Sequence, residues 1–239
     1  MIKLENICKS YDEKTVLDNI MAEFPDDSIT CIMGESGAGK TTLVRIIAGL
    51  ENADRGTVSG AGVVSFDFQE DRLINDISAA DNIMLVLDKN DFGGHDKKTM
   101  RKIINENLAE VLKDYPSDKS TGTYSGGMKR RVCLVRAMMK KSDTVILDEP
   151  FSALDGYLKD VLQREMQDFL QDYPGDMILV THSRDEAYKF CKELSVVDGG
   201  RILVTDETKR LFENPRMLEA AKLTGCKNFS AAQRLGDHE

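Results

Sequence analysis

The apolar run Ile29-Thr30-Cys31-Ile32-Met33 leads directly into Gly34-Glu35-Ser36-Gly37-Ala38-Gly39-Lys40-Thr41, and that into Thr42-Leu43-Val44-Arg45-Ile46-Ile47-Ala48-Gly49-Leu50. The run reads as a buried strand and the last stretch as a short helix ended by glycine. Strand, G-x-x-x-x-G-K-[ST] and helix together are the context of a phosphate-binding loop. The glycines let several backbone N–H groups turn toward an anion, and the helix behind adds the positive end of its dipole. Lys40 supplies a cation that can reach the β- and γ-phosphates, and the Thr41 hydroxyl suits Mg²⁺. A glycine-rich turn matching by chance does not account for both flanks. Residues 34–42 therefore imply a nucleoside triphosphate site.

The chain has 239 residues, enough for one domain with a subdomain. Its net charge of −9 leans away from a protein that coats nucleic acid. No stretch approaches the roughly 18 consecutive apolar residues of a membrane span. The N-terminal Met1-Ile2-Lys3-Leu4-Glu5 lacks a signal peptide's apolar core, so a cytosolic protein is expected. Five scattered cysteines without metal-ligand spacing read as reduced thiols.

Two β segments precede the loop: Ile2 to Ile7, and Val16 to Phe24 after a turn over Lys9–Lys14. Gly56–Gly60 and Val63–Gln69 read as further strands. A helix is expected over Leu73–Leu87, with Asp76 and Ser78 as possible caps. An exposed loop follows over Asp88–Lys98, then a helix carrying Met100, Ile103, Ile104, Leu108, Val111 and Leu112 on one stripe. Residues 72–140 thus form a mainly helical insert. The α/β rhythm then returns, with strands at 144–147 and 177–181 and a helix from Leu158 to Tyr173. A capping box at Ser183–Glu186 and a hairpin around Asp198-Gly199-Gly200 follow.

Two further stretches carry chemistry. Thr144-Val145-Ile146-Leu147 is an apolar strand ending in Asp148-Glu149. Asp148 suits the Mg²⁺ shell, and Glu149 suits activation of a water for in-line attack on the γ-phosphate. Taken alone, the pair also fits two solvated acids at a strand edge. Tyr124-Ser125-Gly126-Gly127-Met128 places an N-cap serine and bare glycine amides ahead of a helix, which makes a second anion-binding helix start. One phosphate loop needs no distant second phosphate site, so the pairing is the informative feature.

With these motifs in order, the chain resembles the ATPase subunit of an ATP-binding cassette (ABC) transporter over residues 1–212. Ser125-Gly126-Gly127 matches the family signature, and Leu147-Asp148-Glu149-Pro150 its acidic strand end. Ser152-Ala153-Leu154-Asp155 matches its D-loop, His182 its switch histidine and Gln69 its Q-loop, while Tyr11 lies where the family stacks an aromatic on adenine. Without the family, Tyr11 fits an exposed turn aromatic, Gln69 a strand-end amide and His182 a structural histidine. The implied fold is a P-loop α/β core with an N-terminal antiparallel β portion and an inserted helical subdomain (about 72–140), ending in a tail from about 214 to 239.

The resemblance implies ATP and Mg²⁺ as ligands, with Thr41, Asp148 and Gln69 around the metal, Asp148 through water. It implies a head-to-tail pair of cassettes, most simply a homodimer, with Ser125, Gly126, Gly127 and Asp155 acting across the pair. Gln69 would couple the site to membrane permease subunits, His182 would contact the γ-phosphate, and a solute-binding protein would take part indirectly. The expected location is the cytoplasmic face of the membrane. Met128 stands where the family usually has Gln. Together with Phe68-Gln69-Glu70-Asp71-Arg72-Leu73-Ile74, it resembles the importer branch for nitrate, sulfonates and taurine; Leu223–Asn228 weakly resembles molybdate-type ATPases. A soluble ABC ATPase on nucleic acid or ribosomes is the rival class, disfavoured by one cassette, no coiled-coil insertion and the negative charge. A P-loop kinase or GTPase leaves Ser125-Gly126-Gly127 unexplained.

Overall fold

The computed structural model describes residues 1–112, 116–152, 156–171, 173 and 175–225. The strands are β1 (Ile2–Tyr11), β2 (Lys14–Phe24), β3 (Ile29–Met33), β4 (Arg55–Ser59), β5 (Val64–Asp67), β6 (Thr144–Asp148), β7 (Asp176–Thr181), β8 (Glu193–Asp198) and β9 (Arg201–Glu207). The α-helices are α1 (Lys40–Ile47), α2 (Ala79–Met84), α3 (Lys97–Leu112), α4 (Gly126–Met139), α5 (Gly156–Gln171), α6 (Arg184–Phe190), α7 (Thr208–Glu213) and α8 (Leu218–Thr224).

Strands β3, β5, β6, β7 and β8 pair in parallel, in the order β5-β6-β7-β3-β8, and β9 closes the sheet antiparallel to β8. The near-continuous apolar runs of the three central strands, β3, β6 and β7, are what a sheet buried on both faces requires. Alternation then divides each strand between two cores. Cys31, Met33, Val145, Leu147, Met177 and Leu179 point into a core shared with α2–α8. Ile32, Ile146, Ile178 and Val180 point into a second core, built with α1 and the apolar face of β1 and β2. Each fully buried aliphatic side chain stabilises by about 1.5–3 kcal/mol. A separate antiparallel sheet, β2-β1-β4, lies over that second core. Among the described residues no helix is long and apolar enough to cross a membrane.

Three local expectations change. Lys9–Tyr11 belongs to strand β1, and the turn shrinks to Asp12–Glu13, because Ser10 N–H and Lys9 are both taken up by Asp54, at 2.7 and 3.2 Å. The helix expected over 73–87 forms only as α2, capped by Ser78. Upstream, the backbone groups a helix would use internally are bonded elsewhere: Ile74 N–H and C=O to Asn82, and Asn75 C=O to Gly122 N–H. The loop expected over 88–98 contains a 3₁₀ turn at Lys89–Phe92, boxed by Asp88 and Asp91, and runs into α3 at Lys97.

Candidate active site

The phosphate loop hangs between the C-terminal end of β3 and the N-terminus of α1, where a parallel sheet opens its crevice. Gly39 caps α1 with φ +97°; a Cβ there would lie 2.9 Å from the Val16 carbonyl oxygen. The backbone can therefore approach β2 closely only because residue 39 has no side chain. Lys40 folds back over the loop and donates to the carbonyls of Gly34 (2.9 Å) and Glu35 (2.8 Å). Burial lowers its pKa from the ordinary lysine value, opposed by Glu149 and Asp148.

A cleft of about 270 Å³ opens in front of this loop. Ser36, Gly37, Gly39, Lys40, Thr41 and Thr42 form its phosphate-loop wall, and Gln69, Glu149 and Val16 the rest. Thr41 Oγ1 lies 3.4 Å from Asp148 Oδ1. Burial, with help from the Glu149 charge, raises the Asp148 pKa above the usual carboxylate value. Both donors are hard oxygens, as Mg²⁺ prefers, and they leave room for phosphate oxygens and water. Glu149 adopts φ +50°, a left-handed conformation that costs roughly 1 kcal/mol for a non-glycine residue. Its N–H is pinned to Val180 C=O at 2.9 Å, which holds the strained turn. Its carboxylate is then flanked by Gln69 Nε2 at 3.2 Å and His182 Nδ1 at 3.3 Å. A carboxylate between an amide and an imidazole, opposite an anion cradle, can hold and orient a water for attack on a terminal phosphate.

The remaining sites expected from the sequence lie elsewhere. Gly34 and Ala38 pack behind the loop, Ala38 in the core, and Glu35 lines a different cavity with Asp198 and Glu219. Tyr11 is 43% exposed; its hydroxyl donates to Glu51, and Lys9 Nζ sits 5.4 Å from its ring. Burial, then Glu51, raises the phenol's pKa above its ordinary value. Ser125 caps α4 by accepting from Met128 N–H at 3.3 Å, with Gly126 and Gly127 opening the helix away from the cleft lining. Asp155 lies outside the described residues.

The family description matching residues 17–152 is ABC transporter. The chain belongs to the ABC transporter family. This cassette, an ATP-hydrolysing member, is 32% identical to the spermidine/putrescine import ATP-binding protein PotA of Pseudomonas fluorescens, over 99% of this chain and 69% of the other. It is 30% identical to the sulfate/thiosulfate import ATP-binding protein CysA of Vibrio vulnificus, over 95% and 69%. It is also 30% identical to the Fe(3+) ions import ATP-binding protein FbpC of Haemophilus influenzae, over 94% and 68%. Among solved structures, a dimeric, post-hydrolysis state of the cassette MJ0796 bound to ADP and Pi superposes with TM-score 0.74 at 23% identity. That match covers 87% of this chain and 99% of the other, and it bears on the fold alone.

Three participants were not legible in the cassette's sequence. Val16 reaches the cleft only because β2 crosses the loop, and Glu51 reaches Tyr11 only because the segment after α1 runs beside β1, bonded to Lys9 and Cys8 through Asn52 and Asp54. Arg130, in the basic run Lys129-Arg130-Arg131, is 1% exposed. No local signal distinguishes it from Lys129.

Proposed function

We propose that this chain is the ATP-hydrolysing subunit of an importer, a single cassette over 1–239 with its helical subdomain at about 72–140. The observation carrying this is Glu149 held between Gln69 and His182 at the mouth of a cleft floored by Lys40 and Thr41. ATP would lay its phosphates on the N–H groups of residues 36–42, with Lys40 leaving the Gly34 and Glu35 carbonyls for phosphate oxygens. Thr41, Asp148 and Gln69 would hold Mg²⁺, which neutralises phosphate charge when bound. Glu149 would take the proton of the attacking water, Gln69 would orient that water, and His182 would meet the γ-phosphate. Tyr11, fixed by Glu51, would stack on the adenine. In a closed homodimer, Ser125, Gly126 and Gly127 of one copy, with Asp155, would complete the site of the other.

Closure and reopening would drive membrane permease subunits from the cytoplasmic face, with a solute-binding protein acting indirectly. The three relatives named are all import ATP-binding proteins, which supports this reading. For the solute we favour a small oxyanion, supported by likeness to a sulfate/thiosulfate relative and by the Met128 signature. Likeness to a polyamine relative favours a second reading, a cationic solute.

The test is light scattering of purified Glu149→Gln protein with and without MgATP. A dimer that forms only with ATP and disappears on adding Ser125→Arg is the expected result. Hydrolysis should fall about 10²–10⁴-fold in Glu149→Gln; unimpaired hydrolysis would remove Glu149 from its role.

A further inference from the structure

The two loops that carry Gln69 and Glu149 are gripped by one helix. At roughly one-turn spacing, α4 turns Arg130, Cys133 and Arg136 toward the segment that follows β5. Cys133 Sγ donates to Asp71 C=O at 2.7 Å, and Arg136 donates to Arg72 C=O at 2.9 Å. Arg130 does more, because it reaches both loops. Its Nε donates to Pro150 C=O at 2.6 Å, one Nη donates to Phe68 C=O at 2.8 Å, and the other pairs with the Asp67 carboxylate. Phe68 directly precedes Gln69, and Pro150 directly follows Glu149. The Phe68 carbonyl therefore belongs to the peptide unit that joins Gln69, and the Pro150 carbonyl lies one peptide unit beyond Glu149, on the two loops whose side chains meet across the cleft at 3.2 Å.

A guanidinium is planar, and its donors leave in fixed directions, so it sets the distance between the groups it bonds. A lysine has one point charge on a flexible stem and cannot hold two carbonyls and a carboxylate in one plane. Stability alone does not explain the arrangement, since a buried ion pair is often matched or bettered by apolar residues of similar volume.

We propose that Arg130 is a positioning residue for hydrolysis. It sets the separation of Gln69 and Glu149. Because it follows Ser125 on the same helix, it also ties that separation to the place of the Ser125-Gly126-Gly127 helix start. A shift of α4 would then be felt at the water site through one side chain. The inference rests on reading Gln69 and Glu149 as the hydrolytic pair.

The test compares full-length wild type, Arg130→Lys, the charge-neutral double variant Arg130→Met/Asp67→Leu, and Glu149→Gln. The double variant removes both charges together, so no buried charge is stranded. Steady-state hydrolysis of MgATP, binding of a fluorescent ATP analogue and thermal midpoint are measured on each. Hydrogen exchange of segments 67–75 and 148–152 is followed with ATP bound, which needs no turnover.

We expect kcat to fall about 10- to 100-fold in Arg130→Lys and in the double variant, the scale on which misplaced catalytic groups lose rate. KM and analogue affinity should stay within about twofold, which marks loss of a transition-state interaction rather than of binding. Exchange should quicken in both segments together. A double variant that hydrolyses ATP and exchanges like wild type overturns the proposal, even with Glu149→Gln inactive. So does a loss of kcat matched by equal losses of affinity and thermal midpoint, the mark of a merely structural role. Hydrolysis surviving in Glu149→Gln removes the underlying reading instead, and the proposal with it.

Discussion

Replacing Gly39 by alanine separates the two demands that the phosphate loop makes on its glycines. At Gly39, with φ +97°, the added Cβ would stand 2.8 Å from Leu17 Cδ2 and 2.9 Å from Val16 O. The left-handed backbone costs a non-glycine residue roughly 1–2 kcal/mol. Leu17 is fully buried and Val16 O is main chain, so neither yields freely; overpacking of this kind costs about 1–3 kcal/mol more. The sum is roughly 2–5 kcal/mol, and at about 2–4 °C per kcal/mol for a chain of this size the midpoint falls by roughly 4–20 °C. Gly37 is the control: φ is +82°, but nothing lies within 4 Å of an added Cβ. Gly37→Ala then loses only the backbone part, roughly 1–2 kcal/mol and about 2–8 °C. Circular-dichroism melts of the two proteins, with ATP-analogue binding measured alongside, give the comparison. Gly39→Ala should melt well below Gly37→Ala and bind nucleotide more weakly. If both melt together, the close approach of β2 is not what requires glycine at position 39.

Two other predictions concern buried groups. Glu186 accepts from Thr181, Gln163 (3.2 Å) and Lys159 (2.6 Å). Glu186→Ala leaves these donors unpaired beside His182 and should cost about 2–3 kcal/mol in urea unfolding, whereas Glu186→Gln, which keeps an acceptor, should cost less; equal losses would refute the hydrogen-bond account. Burial pushes the Cys133 thiol up to about 12 and Cys191 well above its ordinary value. At pH 8 roughly one Cys133 in 10⁴ is thiolate, the reactive form. In a Cys226→Ser background, iodoacetamide should therefore modify half-buried Cys8 first; rapid native labelling of Cys133 would contradict the burial seen here.

The sequence alone determined the parts whose physics is local. An apolar run long enough for a buried strand, a loop of glycines ahead of Lys40-Thr41 and a serine before Gly126-Gly127 each declare themselves within a few residues. Ser183 shows where that stops. It caps α6 as the capping-box spacing predicts, with Glu186 N–H donating to its Oγ at 3.5 Å. Yet the Glu186 carboxylate turns inward to Thr181 and Lys159 instead of back to the cap, because a partly buried ammonium needs it more. The length of α2 was likewise decided by Asn82, within α2 itself, which captures the backbone of Ile74, and by Gly122, far along the chain, which captures that of Asn75.

Only tertiary structure could decide the clamp and the base. Glu149 stands between Gln69 and His182 because β6 and β7 are neighbours in the sheet and β5 lies beside β6. Arg130 is buried because α4 packs against β5, where two loop carbonyls and the Asp67 carboxylate at the end of that strand converge. Residue type sets what a group can bond. Which partners arrive is set by the packing of segments some twenty to eighty residues apart, and no window along the chain contains that information.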